Sequence, residues 1–409
     1  MQITRQEKDR LRALAAKQRT LSESPAMRQL YADWQMHGAF DPASRPMIRI
    51  ELGTFENDIL PGMMECTSDA ARKIERRLLS PMINHELFGD DTLVPGYYGV
   101  HGSGQFVPFG LHTHRTETDG VGHQFIPYLH DLERDYEKLG PSQFDCGDDI
   151  APELNELDAL FGDVLPVRAE GFSLYACPTQ DIVHIMHMED MYMAMYDAPD
   201  QFHAMMDRLC SDYLAHFHLL EENGRLHAGV ADEHLAQGTY CFTNELTEKN
   251  PAKISDMWLF MDSQETSGIS PAMFEEFVFP YYKKMLDSAG LVSYGCCEAV
   301  HPIWDSCLST LPNLRKVSIS PWCNEAFMGE RLAGRRTVYL RKPSPNFLGV
   351  GAALDEDAVR THFKDTAIAT RGCHLEFAQR DVYTIHNNPG KVRRYVELIR
   401  EAVDLYWQP

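Results

Sequence analysis

The chain has 409 residues, 44% hydrophobic and 24% charged, an ordinary globular balance with apolar side chains enough for a sizeable core. A formal net charge of −22 repels nucleic-acid backbones and anionic bilayer surfaces, so neither is an expected partner. Residues 1–19 are rich in Arg, Lys and Glu with no apolar stretch of signal-peptide type, and no run is long enough to span a bilayer; a cytoplasmic chain is expected.

The first 45 residues read as an N-terminal extension, a charged helix over 5–35 packed on the outside of the main unit. Pro42 and Pro46 then precede an apolar strand-like run over 47–52, which opens a unit extending over 46–409. The stretch 95–141 is rich in Gly, His and Tyr, without apolar periodicity; it reads as loop within an insertion over about 95–160, the kind of segment that covers active sites.

From about residue 164 strands and helices alternate. A strand over 167–174 is followed by a helix from Pro199 to Glu222, with Phe202, Met206, Leu209, Tyr213 and Phe217 spaced by three and four. Further strands are expected over 257–261, 291–295, 314–319, 338–340 and 373–377. Their helices are expected over 271–286, 301–311, 324–332, 355–370 and 389–406. Successive units of this kind build a parallel sheet, and the absence of a Gly-x-Gly-x-x-Gly turn or a phosphate-binding loop favours a (β/α)8 TIM barrel over a doubly wound sheet.

In such a barrel the chemistry sits at the carboxyl ends of the strands. Those ends carry Asp262 with Gln264 and Glu265, then Cys296-Cys297-Glu298, then Lys342, then the segment from Glu376 to Asp381. Single polar residues there can equally cap the next helix; their concentration at four successive ends is what suggests a site. Ten scattered cysteines suggest reduced, mostly buried thiols, with the Cys296-Cys297 doublet as the exception. Cys297 and Glu298 could give one divalent metal a thiolate and a carboxylate, with Cys296 alongside and Asp381 or His386 completing a tetrahedral set. Cys323 and Cys373 are weaker ligand candidates. A nucleophilic Cys297, activated by His301 or His386, is the rival reading. Lys342 could form a Schiff base, hold an anion or pair with Glu298 or Glu376. His112, His114 and His123 could share a metal but sit in loop, where solvated histidines are commoner; the methionines over 184–196 read as adaptable core.

The segments Asp197-Ala198-Pro199-Asp200-Gln201-Phe202-His203, Phe260-Met261-Asp262-Ser263 and 270–281 resemble the uroporphyrinogen decarboxylase superfamily over roughly residue 164 to the C-terminus. The resemblance implies a (β/α)8 barrel with a central cleft. It is nearer the corrinoid-dependent methyltransferases than the true decarboxylases, whose Arg-rich N-terminal motif is absent; Arg28-Gln29 is only a faint echo. In that branch a His-x-Cys after one strand and a Cys after the last strand bind zinc. Here Cys297 falls on the first Cys, Gly295 on the His and Asp381 on the second Cys, so one ligand matches and two do not.

The resemblance thus implies methyl transfer between a small methylated compound and a corrinoid (cobalamin) protein, with Zn2+ at Cys297, Glu298, Asp381 and Cys296. Asp262, Lys342 and Glu376 are the expected catalytic residues; Gln264, Glu265 and His386 are expected to bind substrate. A homodimer is the expected assembly. The alternatives are a cofactor-free decarboxylase of a uroporphyrinogen-like macrocycle and a corrinoid- or tetrapyrrole-binding protein without turnover.

Overall fold

The computed structural model describes residues 3–102, 104–117, 122 and 124–409. Seven parallel strands form the central sheet: β1 (Met47–Ile50), β2 (Leu174–Ala176), β3 (Trp258–Met261), β4 (Leu291–Tyr294), β5 (Leu314–Ile319), β6 (Val338–Arg341) and β7 (Leu375–Gln379). Their order is β1-β7-β6-β5-β4-β3-β2, so each strand from β2 onward lies beside its successor and the last pairs with the first. No switch point interrupts that order. An α/β fold of this order is compatible with a (β/α) barrel and not with a doubly wound sheet.

The sheet curls around one hairpin. His234–Leu235 pairs antiparallel with Thr239–Tyr240 across a turn whose Gln237 and Gly238 both have positive φ, 74° and 79°. The loop has three residues, 236–238, and its left-handed last position is the one glycine adopts without strain. This hairpin meets strands from both flanks of the sheet. Arg49 of β1 donates to Gly238 O, Trp258 of β3 donates to Cys241 O, and Lys316 of β5 donates to Thr239. Leu235 and Cys241 pack with Trp258 and Leu291.

No hydrogen-bonded strand lies between β1 and β2 among the described residues, and side chains account for it. The outer N–H groups of β1, at Ile48 and Ile50, donate to the carboxylates of Asp91 and Asp90, each at 2.8 Å. Buried backbone donors must be satisfied, and two aspartates do here what another strand would do. The nearest strand-like segment, Tyr98–Val100, pairs instead with Val167–Ala169.

The expected opening helix is two helices, α1 (Arg5–Ser22) and α2 (Pro25–Gly38). Pro25 cannot continue α1, whereas it suits the first turn of α2, which Ser24 caps. Leu11, Leu14, Ala15 and Trp34 belong to the same apolar core as the sheet. The strand expected over 167–174 is broken at Gly171, where a Cβ would lie 2.7 Å from Ala228 O. The helix over 271–286 breaks before Pro280, and 301–311 makes only 3-10 turns, His301–Ile303 and Leu308–Thr310. Helices Pro199–Glu222 and Pro389–Tyr406 lie where the periodicity puts them. Between 95 and 160 the described segments include short helices, the strand Tyr98–Val100 and the strand pair Phe106–Val107 with Gln143–Phe144. No helix among the described residues is long and apolar enough to cross a membrane.

Candidate active site

The carboxyl ends of β2, β3, β4 and β6 bring together Cys177, Asp262, the Cys296-Cys297-Glu298 turn and Lys342. Glu298 is the clasp of this group. Its Oε2 accepts from Cys296 N at 2.8 Å and its Oε1 from Ser263 N at 3.1 Å, so one buried carboxylate ties the end of β4 to that of β3. Gly295, with φ 97°, lets the chain turn sharply at that point.

Asp262 is 1% exposed, and its Oδ1 has no hydrogen-bond partner. Burial, with Glu298, Cys296 and Glu265 around it, pushes the carboxyl up to about 8. At neutral pH it therefore holds its proton. Glu265 is also raised, chiefly by burial, and is tied down by the Thr179 hydroxyl at 2.8 Å. Gln264 lies half-buried beside it in the same 3-10 turn.

The two thiols stand 3.6 Å apart and differ in kind. Cys297 is exposed; the Cys296 thiol donating to it, and Lys342, hold it below the ordinary thiol value. Cys296 is buried and is pushed far upward by that same hydrogen bond and by burial. Cys297 is the thiol that ionises first. Lys342 is buried, donates to Gln237 Oε1 and to Cys296 O at 3.2 Å, and has no carboxylate partner among the described residues. Burial pulls its ammonium below the ordinary lysine value.

Of the remaining expected residues Asp381 borders this cluster and the others stand apart from it. Glu376 is inside β7, not at its end, because the strand begins at Leu375 and runs to Gln379. It is ion-paired with Lys316 at 2.6 Å, accepts from Thr239 and lies 3.2 Å from His37 Nε2. Asp381 follows β7 with φ 58° and is close enough to Cys297 to oppose its ionisation. His386 is exposed and faces Gly349 O at 3.3 Å, with no contact to the thiol pair. His301 accepts from Asn324 N and gives Cys297 no partner, so the His-activated nucleophile lacks its base here. Cys323 and Cys373 are buried, each with a backbone carbonyl as thiol acceptor. His112 and His114 are exposed, and His123 lies outside the described residues.

The zinc set expected from the family pattern does not fit this arrangement. Both Glu298 oxygens are taken by backbone donors, and the described residues contain no group of three or more His, Cys, Asp or Glu able to hold a metal. The geometry carries no step through a metal.

Two participants escaped sequence reasoning. Cys177, at the end of β2 beside Asp262, was hidden because 167–174 read as one strand. Gln237, which accepts from both Lys342 and Arg380, sits at the hairpin tip; Gln237-Gly238 was the available turn signal. A cavity of about 850 Å3 adjoins the cluster on the β1–β2 side and shares Tyr175 and Gln237 with it.

The fold and this strand-end cluster define an α/β protein with a parallel sheet and paired, oppositely tuned acid and thiol groups. No family model matches the sequence, and no curated protein is similar to it. Among solved structures, a methyltransferase from Methanosarcina mazei is similar over 92% of this chain and 98% of its own, at 14% identity and a TM-score of 0.50. That likeness concerns the fold.

Proposed function

We propose that the protein is a methyltransferase on a (β/α)8-type barrel, moving a methyl group from a small O-, N- or S-methyl compound to the corrinoid of a partner protein. The supporting observation is that one set of strand ends gathers the buried Asp262 carboxyl, raised to about 8, next to Cys296, and the exposed Cys297 thiol 3.6 Å further on, held below its ordinary value. Environments that drive neighbouring groups in opposite directions divide acid from base roles. The fold likeness to a methyltransferase and the family resemblance of residues 197–203 and 260–281 point the same way.

In the proposed step the carbon–heteroatom bond breaks and its electron pair stays on the heteroatom. The acceptor supplies the pair for the new bond to the methyl group. Asp262 gives its proton to the departing heteroatom, which otherwise leaves poorly as an anion. Lys342 and the Cys297 thiol, which ionises more readily than an ordinary cysteine, set the charge around that atom, and Gln264 and Glu265 line the approach.

The test incubates the protein with free cob(I)alamin and methanol, dimethylamine, dimethyl sulfide or anisole in turn, and follows the cobalamin spectrum. Methylation by wild type and its loss in Asp262→Asn support the reading. No methylation with any donor, under conditions where a known corrinoid methyltransferase works, removes it.

A further inference from the structure

The cavity beside the cluster has a charge imbalance that its own walls do not resolve. Four carboxylates line it, and three have a cation of their own: Glu51 pairs with Arg380 at 2.8 Å, Glu56 with Arg76 and Glu170 with Arg77 at 2.6 Å, whereas Asp232 shares Arg168, 4.0 Å away, with Glu233 at 3.7 Å. Two lining cations remain, Arg49 and Lys73, and neither has an acidic partner among the described residues.

Arg49 is the more telling of the two, because it is only 7% exposed. Its guanidinium donates to Gly238 O at 3.1 Å, lies 3.4 Å from His234 Nδ1 and stacks over the Tyr240 ring at 3.7 Å. Its Nε has no partner. None of these neighbours carries negative charge, and burial together with Arg49 itself holds His234 down to about 4, hence neutral. A buried cation with no counter-charge is unfavourable unless something supplies one. Lys73 stands exposed at the rim, on the helix Asp69–Ile83. The rest of the wall includes the aromatic rings of Tyr97, Tyr98, Phe172 and Tyr240, suited to an apolar body. The volume is within the range of small-molecule sites.

We propose that this cavity binds a small organic anion, its carboxylate or phosphate compensating Arg49 and its apolar part lying against the aromatic wall. This binding does not rest on the methyl-transfer reading and is measured without turnover.

The test is calorimetric titration of the full chain with benzoate, phenyl phosphate and the neutral benzyl alcohol. At least one anion is expected to bind about tenfold or more tightly than benzyl alcohol, and to weaken as salt is raised while the alcohol does not. Benzoate against phenyl phosphate distinguishes a carboxylate from a phosphate site. Arg49→Gln should abolish the preference for the anion, and Lys73→Met, at an exposed position where folding is not at stake, should weaken the anion alone by about two- to fivefold. Equal affinity for anion and alcohol, an anion affinity indifferent to Lys73→Met and salt, or no anion binding at up to about 10 mM would overturn the proposal.

Discussion

Two polar layers lie within the curve of the same sheet, and the contrast between them separates structure from chemistry. In one, Lys316, Glu376 and Thr239 satisfy one another with His37 Nε2 3.2 Å from the carboxylate, and these neighbours hold the Glu376 carboxyl down to about 2 despite complete burial. In the other, at the strand ends, Lys342 has no carboxylate, Asp262 has an oxygen with no donor, and Cys297 faces solvent. The same residue types are inert where every charge is answered and poised where charges are left open. Lysine or glutamate near a strand end is therefore a poor sign of a site until its partners are known.

Substitutions in the two layers should act differently. The largest effect is expected at the open layer: Asp262→Asn should lower turnover by about 10^2- to 10^4-fold, the range for loss of a positioned acid. The same variant should gain stability relative to wild type as pH rises. A carboxyl raised to about 8 in the folded chain costs stability between its unfolded value and 8, by up to about 1.4 kcal/mol per pH unit. Thermal melts of both proteins from pH 5 to 9 measure it, and parallel melting curves would contradict the assignment.

In the paired layer, Glu376→Gln should cost about 3–5 kcal/mol of stability, because it strands the Lys316 ammonium in the core. The sign of its pH dependence is opposite. The Glu376 contribution is fully present above the unfolded carboxyl value and fades as pH falls toward about 2, so the gap between wild type and variant should narrow in acid. Chemical denaturation at pH 7 and pH 4 reads both figures.

A smaller effect is expected at Lys342→Met. Without the nearby ammonium Cys297 should alkylate several-fold more slowly at pH 7, while buried Cys296 stays unreactive in both proteins. Mass spectrometry after timed iodoacetamide treatment resolves the two thiols. The smallest is at the surface, where Arg360→Ala removes an exposed ion pair with Glu401 and should cost under about 1 kcal/mol.

Much of this fold was legible because periodicity and punctuation agree. Leu314–Ile319 and the helix Pro199–Glu222 have the bounds that apolar spacing, Pro199 and Asn223-Gly224 indicate. The misses share a cause: the sequence shows a residue and not what lies across from it. Pro25 splits the first helix, and Gly171 splits a strand because Ala228 O leaves no room for a Cβ. At the site, Asp262, Cys296, Cys297, Glu298 and Lys342 were marked by their place after apolar strand cores, and the structure brings them together. Glu376 was marked by the same rule, yet a two-residue shift in strand onset places it inside the sheet beside Lys316. Cys177 and Gln237 depend on contacts from distant segments, which spacing does not encode.

Asp262 should keep its proton at neutral pH, at the same strand ends as the Cys297 thiol. The most direct measurement is the infrared carboxyl band of wild type minus Asp262→Asn, followed across pH. A protonated-acid band should persist through pH 7 and disappear with a midpoint near 8. A band already lost by about pH 5, the ordinary range of an aspartate, would contradict it.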